Sequence, residues 1–367
     1  MARNILNSNN LAVLIQQGNN LGSNYSQDLD CNLFEAVQDF NYSVEFPRQD
    51  LKQIGSQGLA TRDFPFQPDV QLSLTYIPTV GFQNEEFANF LFPVTARDKF
   101  YNFFSGTLDF DCNFVVIAEP NQGSDVFNRL AFDESRFNLN GLNAISFGNC
   151  FPTTYGLSYS NGSMPAISTN YICSNVVMET LTGTSMIKPA INLTGGNTDN
   201  VGQILFQIDP KTTSDIDPTI VDPVGSQTSV TLQNLQVGGQ NLSGVHFIQS
   251  LDMSVDLPRT SLYGLGNDFA YGRKAQLPAN GSLTVSSLVS GLDDGVITGV
   301  LSNDENYNFD IKFGSASGSF ESIYRIEDAK LNSYNYGIAV NDFMNFDAQF
   351  TFKVTETRGL KVSGSNT

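Results

Sequence analysis

The residues able to do chemistry in this chain are few and poorly spaced for it. The sole histidine, His246, sits between Val245 and Phe247 and reads as a partly buried strand histidine rather than a general base. Gly314-Ser315-Ala316-Ser317-Gly318 has the outline of a nucleophile elbow, but its centre is alanine and carries no hydroxyl. The phosphate-cradling GxxxxGK[ST] loop is absent, and Gly264-Leu265-Gly266 is only a turn-like fragment. Cys31, Cys112, Cys150 and Cys173 are far apart, form no CxxC pair and read as four free thiols without a zinc pattern. Carboxylates cluster at Asp215/Asp217/Asp222, Asp293-Asp294 and Asp304-Glu305. None sets glycine and acid at the sixth and twelfth positions of a calcium loop, so solvated turns are expected. A glycosidase pair can converge from any two positions, yet sugar-cleaving sites bring aromatic platforms and the chain has no tryptophan. The expectation is a protein that is not an enzyme, with no cofactor and no metal.

Charge narrows the partners. The 37 acidic residues against 19 basic ones give a net charge of −18, with no basic run. Gripping nucleic acid requires clustered Lys and Arg, so that class is excluded. The acidity either keeps a concentrated protein dissolved or forms a surface that repels DNA. Met1-Ala2-Arg3-Asn4 leads into Asn- and Gln-rich sequence without the apolar core of a signal peptide, and no run of about 18 apolar residues occurs. A soluble protein made in a cytoplasm, with no membrane partner, is expected.

The elements that would carry these residues are strands. Val70-Gln71-Leu72-Ser73-Leu74-Thr75-Tyr76 alternates apolar and polar side chains with period two, as do Gly281 to Val285 and Phe346 to Val354. Phe114-Val115-Val116-Ile117 is continuous and predicts a strand covered on both faces. Helix is scarce. Asn84 to Leu91 is the one good candidate, with Asn84 as cap, Glu85 and Glu86 at the positive end, and Phe87, Phe90 and Leu91 on one side.

The sequence also repeats. Val44-Glu45-Phe46-Pro47-Arg48, then Leu51 and Gly55, returns as Val255-Asp256-Leu257-Pro258-Arg259, then Leu262 and Gly266, at an offset of 211 (259 − 48). Gln38/Gln249, Ser43/Ser254 and Leu72/Leu283 hold the same offset without a gap. Further on, Asn161 and Met164 can be laid on Asn341 and Met344 at an offset of 180 (341 − 161). This predicts a first β domain over residues 1–185, a connecting segment with the opening strand of the second copy over 186–240, and a second β domain over 241–367.

The doubled Pro-Arg segment, with Asn149 to Tyr155 and Gly162 to Ser168 as a closing hairpin, resembles the tail tube protein of long-tailed bacteriophages. The resemblance implies two tandem tail-tube-like β-sandwich or half-barrel domains, each with at most one short helix and a long stacking loop. It implies a virion tail protein, assembled in the host bacterial cytoplasm, whose chains form trimeric rings with pseudo-sixfold symmetry stacked into a tube. Tape measure, tail terminator and distal tail proteins would be its partners, and DNA would transit the lumen without specific binding. Ring stacking would fall to the loops, with Arg48, Asp50, Lys52, Gly55 and Arg62 in the first and Arg259, Tyr263, Gly266, Arg273 and Lys274 in the second. Arg48 and Arg259 would pair with acids of the next ring, or else with groups of their own domain at the strand end. Gln71, Ser73, Thr75, Ser282, Thr284 and Ser286 would line the lumen.

Other readings stay open at this point. The abundance of Asn, Tyr and loops also suits a host-binding or carbohydrate-binding β module of a tail tip. A terminator or baseplate ring would share the same folding unit, and a polysaccharide depolymerase is the remaining alternative.

Overall fold

A computed structural model describes residues 11–17, 32–45, 49–52, 59–63, 69–78, 82, 84–85, 88, 90, 100–104, 111–118, 142–180, 185–191, 201–207, 229–233, 236–237, 240–241, 247–262, 272–288, 306–314, 320–337 and 345–363. The fold is mostly β, built around one large antiparallel sheet. The strands that carry the architecture are, in chain order, β1 (Leu11–Gln17), β2 (Val37–Glu45), β3 (Asp69–Tyr76), β4 (Cys112–Ala118), β5 (Asn143–Ser160), β6 (Ala166–Cys173) and β7 (Asn175–Thr180). After them come β8 (Ser229–Gln233), β9 (Phe247–Asp256), β10 (Ala279–Leu288), β11 (Tyr307–Gly314), β12 (Phe320–Gly337), β13 (Asn345–Val354) and β14 (Leu360–Ser363).

The central sheet runs β2-β3-β6-β5-β9-β10-β13-β12. The long strands β5 and β12 then continue out of it, each into an outer sheet. One outer sheet is ordered β1-β4-β5-β7, the other β8-β11-β12-β14. Each pairing within β1–β7 therefore recurs seven strands later.

Register follows the same rule. Val44 faces Val70 across β2–β3, and Val255 faces Gly281 across β9–β10, each 211 further on. The extra residue of the bulge in β2 is Gln38, and in β9 it is Gln249, the same amino acid at the same offset. The β5–β6 hairpin bulges at Thr153 and the β12–β13 hairpin at Asn332. Their separation is 179 (332 − 153), so the offset of 180 expected for this hairpin is corrected by one residue. Side chains alternate between sheet faces, and one step exchanges them. At 179 the buried Thr169 lies on buried Ala348, whereas 180 would set it on exposed Gln349.

The apolar face of the central sheet packs against the outer sheets. Val70, Leu72, Leu74 and Tyr76 point inward from β3, and Leu283 and Val285 from β10. All of β4 is buried, as its unbroken apolar run requires. Side chains exchange volume between equivalent places: Val70 opposite Cys173 becomes Gly281 opposite Phe352, and a Cβ on Gly281 would come within 2.3 Å of the Phe352 ring. The segment between β3 and β4 joins the halves. Tyr101–Asn102 pairs with β14, Phe103 N donates to Leu360 O at 2.9 Å, and the Phe82 ring meets Tyr324 at 5.0 Å. Phe82, Phe90, Phe103 and Phe104 are at most 2% exposed. Burial of each contributes on the order of 2 kcal/mol, so this aromatic knot is a main source of cohesion between the halves.

Where a helix from Asn84 to Leu91 is expected, the described residues show a single turn, with Ala88 N bonding Asn84 O at 2.9 Å and Phe90 N bonding Glu85 O at 2.9 Å. Asn84 does not act as the expected cap. Its Oδ1 accepts from Glu35 N (3.2 Å) and its Nδ2 donates to Glu35 O (2.9 Å), fixing the turn to the chain before β2. Among the described residues, no helix is long and apolar enough to cross a membrane.

Candidate functional site

The surface best placed to act is the solvent-facing side of the central sheet, together with its two edges. Because strand side chains alternate, burying Val70, Leu72, Leu74 and Tyr76 turns Gln71, Ser73 and Thr75 outward. In β10, Leu283 and Val285 do the same for Ser282, Thr284 and Ser286. The strands between them bring Ser158, Ser168, Asn170 and Ser254 to the same face, and β13, beyond β10, adds Thr351. These groups bond one another: Ser254 and Ser282 hydroxyls lie 2.9 Å apart, and Asn170 Nδ2 donates to Thr154 Oγ1 at 2.7 Å.

Sequence reasoning did not single out the acids on this face. Asp39, Glu45, Asp252, Asp256 and Asp347 are exposed there, and against them stand Lys330 and Lys353. Lys353 is engaged by Asn280 Oδ1, and Ser286 Oγ donates to Asp347 Oδ1 at 2.5 Å. Period-two alternation through β2, β9 and β13 was the signal that could have found these carboxylates. The face combines neutral hydrogen-bonding groups with excess negative charge, which solvates water well and repels phosphate.

The edges differ from the middle. Inside the chain, β5 pairs with β9, and there Tyr155, Leu157, Leu251, Met253 and Val255 are all at most 2% exposed. At the ends of the sheet, β2 pairs only with β3, and residues 330–337 of β12 pair only with β13, among the described residues. Val44 and Tyr334 are half-buried, and Tyr42 is 39% exposed. Open strand edges of this kind present backbone donors and acceptors ready for another strand.

Each proposed stacking loop contains a small ribbon: Gln49–Lys52 with Leu59–Asp63, and Arg259–Leu262 with Gly272–Ala275. Asp50 and Arg62 are directly opposed in the first ribbon, which also holds Lys52. Lys274 is exposed in the second. The two arginines of the second ribbon serve their own chain. Arg259 donates from Nε to Pro152 O (2.5 Å) and from Nη1 to Arg273 O (3.0 Å), with its guanidinium 5.3 Å from the Phe151 ring centre. Arg273 is 4% exposed and donates to Ser174 Oγ at 2.9 Å. For Arg259 these bonds fit the alternative named for it, a partner within its own domain at the strand end, and Arg273, named as a stacking residue, is buried within its own chain. A planar guanidinium over an aromatic face with carbonyls at its rim is well used where it stands. Arg48, Gly55, Tyr263 and Gly266 lie outside the described residues, as do Cys31, His246 and the carboxylate clusters named above.

A second feature was missed altogether. Glu85, expected at the positive end of a helix, is 1% exposed beneath the β5–β9 junction. Its Oε1 accepts from Tyr76 Oη (3.0 Å) and Tyr155 Oη (3.3 Å), and Tyr155 Oη lies 2.7 Å from Tyr324 Oη. Burial pushes the Glu85 carboxyl up to about 7, and the tyrosine bonds offset part of that. Burial also raises Tyr76, Tyr155 and Tyr324 well above the usual phenol range. Cys112, Cys150 and Cys173 are free and buried, and burial pushes the Cys112 and Cys150 thiols up, away from reactivity. Among the described residues, no group of three His, Cys, Asp or Glu could hold a metal ion.

No protein-family model matches the chain, and no curated protein matches it either.

Proposed function

We propose that this chain is a ring-building structural protein, two like β units in tandem, and that its rings stack into a phage tail tube through which DNA passes. One observation carries the reading: the central sheet crosses from one half to the other through β5–β9 and then stops at two open strands, β2 and the end of β12, which hold in their own halves the places that β9 and β5 hold at the junction. A junction already made once inside the chain can be made again between chains. A head-to-tail contact of this sort closes into a ring when the rotation allows, and closure removes both free edges of the central sheet. Three chains would then supply six similar units.

The polar face suits the inside of such a ring. Its amides and hydroxyls hold water, and the carboxylates at Asp39, Glu45, Asp252, Asp256 and Asp347 keep DNA phosphates from adhering. Negative-stain microscopy of the concentrated protein is the test. Hollow rings or tubes with apparent sixfold views are expected, whereas particles that stay single chains at every concentration overturn the proposal.

A further inference from the structure

The β5–β9 junction specifies how two chains would meet, residue by residue. We infer that β2 of one chain pairs antiparallel with residues 333–337 of β12 in a second copy, with Glu45 opposite Ser333, Ser43 opposite Asn335 and Asn41 opposite Gly337. This rests on the ring-building reading and supplies the seam that reading leaves unspecified.

The register comes from two fixed offsets. Bulges at Gln38 and Gln249 tie β2 to β9 at 211, and bulges at Thr153 and Asn332 tie β5 to β12 at 179. Inside the chain Asp256 faces Thr154, Val255 faces Tyr155 and Ser254 faces Gly156. Moving β9 back by 211 and β5 forward by 179 gives Glu45 facing Ser333, Val44 facing Tyr334 and Ser43 facing Asn335. The residue types agree with the transfer. An acid again faces a hydroxyl, and a valine again faces a tyrosine.

Burial agrees as well. Val255 and Tyr155 are 0% exposed and Met253 is 2% exposed at the internal junction. Their counterparts Val44 and Tyr334 are half-buried, and Tyr42 is 39% exposed. A second copy in this register would cover the apolar side chains that the monomer leaves partly wet. A strand from an unrelated protein would have no reason to set an acid opposite Ser333 and a valine opposite Tyr334.

The ladder also fixes which pairs suit a cross-link. Leu257 N bonds Thr153 O at 2.7 Å and Asn161 N bonds Gln249 O at 2.7 Å, so the alternation makes Thr154/Asp256 and Gly156/Ser254 non-hydrogen-bonded pairs. Their counterparts, Ser333/Glu45 and Asn335/Ser43, are all exposed and would have Cα atoms about 4.5 Å apart, within disulfide reach.

The experiment uses the full chain carrying Ser43→Cys with Asn335→Cys, or Glu45→Cys with Ser333→Cys, oxidised with oxidised glutathione and run on non-reducing gels beside micrographs. Both pairs should yield covalent multimers ending at a closed trimer, at least tenfold above the single-cysteine variants and the unmodified chain. Ser43→Cys with Ser333→Cys is slipped by two residues, about 7–8 Å apart, and should give only background. Rings that form while the matched pairs stay uncoupled, or while the slipped pair couples best, overturn this register and leave the ring reading standing. Absence of both rings and cross-links overturns the two together.

Discussion

β5 and β12 are each 18 residues long, and each runs from an outer sheet into the central one. Both carry a bulge where they pair with the following strand, at Thr153 and Asn332. Both also contain a residue in the left-handed region, Asn149 at φ 52° and Asp328 at φ 57°. In each case the backbone N–H of that residue is held by an asparagine of the neighbouring strand: Asn149 N by Asn113 Oδ1 at 3.0 Å, Asp328 N by Asn308 Oδ1 at 3.1 Å. Asn and Asp tolerate this conformation better than other side-chain-bearing residues, which is why the device survives in both places. The strands part company at their far ends. Residues 154–160 of β5 have β9 beside them, while the matching end of β12 has no strand on that edge among the described residues. Local backbone devices thus fix the shape of a strand, and what differs is the neighbour each one has been given.

The largest effect should come from putting proline where the two edges differ. At the β5–β9 junction, alternation of the ladder directs the Met253 N–H toward Leu157, so Met253→Pro removes an interior bond and breaks a central strand. The Tyr42 N–H has the same orientation in β2 but faces the open edge. Proline is tolerated on edges and excluded from sheet centres. Circular dichroism should therefore find Met253→Pro unfolded and Tyr42→Pro folded, while sedimentation velocity finds Tyr42→Pro confined to single chains. Tyr42→Ala loses the same ring but keeps the N–H, and should retain more assembly. Rings formed by Tyr42→Pro as readily as by the unmodified chain would erase the distinction between the edges.

Much of this contrast was legible in the sequence. Alternation in Val70 to Tyr76 marked both the buried and the polar side of β3, since period two is a direct consequence of the pleat. The Gln38/Gln249 match, found as part of a register, proves to be the bulge residue of each half. What escaped reading depends on contacts distant in the chain. Nothing near Glu85 announces that Tyr76, Tyr155 and Tyr324 will close over it, because two of them lie far along the sequence. Arg259 reads as pairing with the next ring or within its own domain and Arg273 as a stacking residue, and nothing near either shows that Phe151 lies under both guanidinium groups or that the Pro152 carbonyl bonds Arg259. The hairpin offset was misjudged by one residue because turn composition, unlike a bulge, does not fix a register.

Glu85 offers the next effect in size, since it lies under the filled junction. Its carboxyl titrates at about 7 in the fold, against an ordinary 4.5, and the phenols of Tyr76, Tyr155 and Tyr324 around it stay neutral. Between those two values the folded chain holds a proton that the unfolded chain has released. Stability from this group is therefore complete below about pH 4.5 and is lost as pH rises through 7, by about 3 kcal/mol in total. Thermal melts should fall by several degrees across that window, and Glu85→Gln should flatten the dependence. An unchanged slope in Glu85→Gln would mean that the carboxyl ionises freely and that the junction is wetter than its geometry implies.

The finest distinction lies in the shared asparagine bond. Asn113 and Asn308 accept nearly identical bonds, yet Asn149 is 4% exposed and Asp328 is open to solvent. Replacing Asn113 with alanine strands a buried N–H, which costs about 1–3 kcal/mol, because no water reaches it. After Asn308→Ala the Asp328 N–H can bond water, and only the net value of one exposed bond is lost, on the order of 0.5 kcal/mol. Denaturant titration of the two single variants measures both losses directly. Equal losses would mean that solvent reaches Asn149, and that this left-handed residue is held no more tightly than Asp328. An Asn113→Ala loss several times larger would instead show that one local device, kept in both halves, contributes according to the water around it.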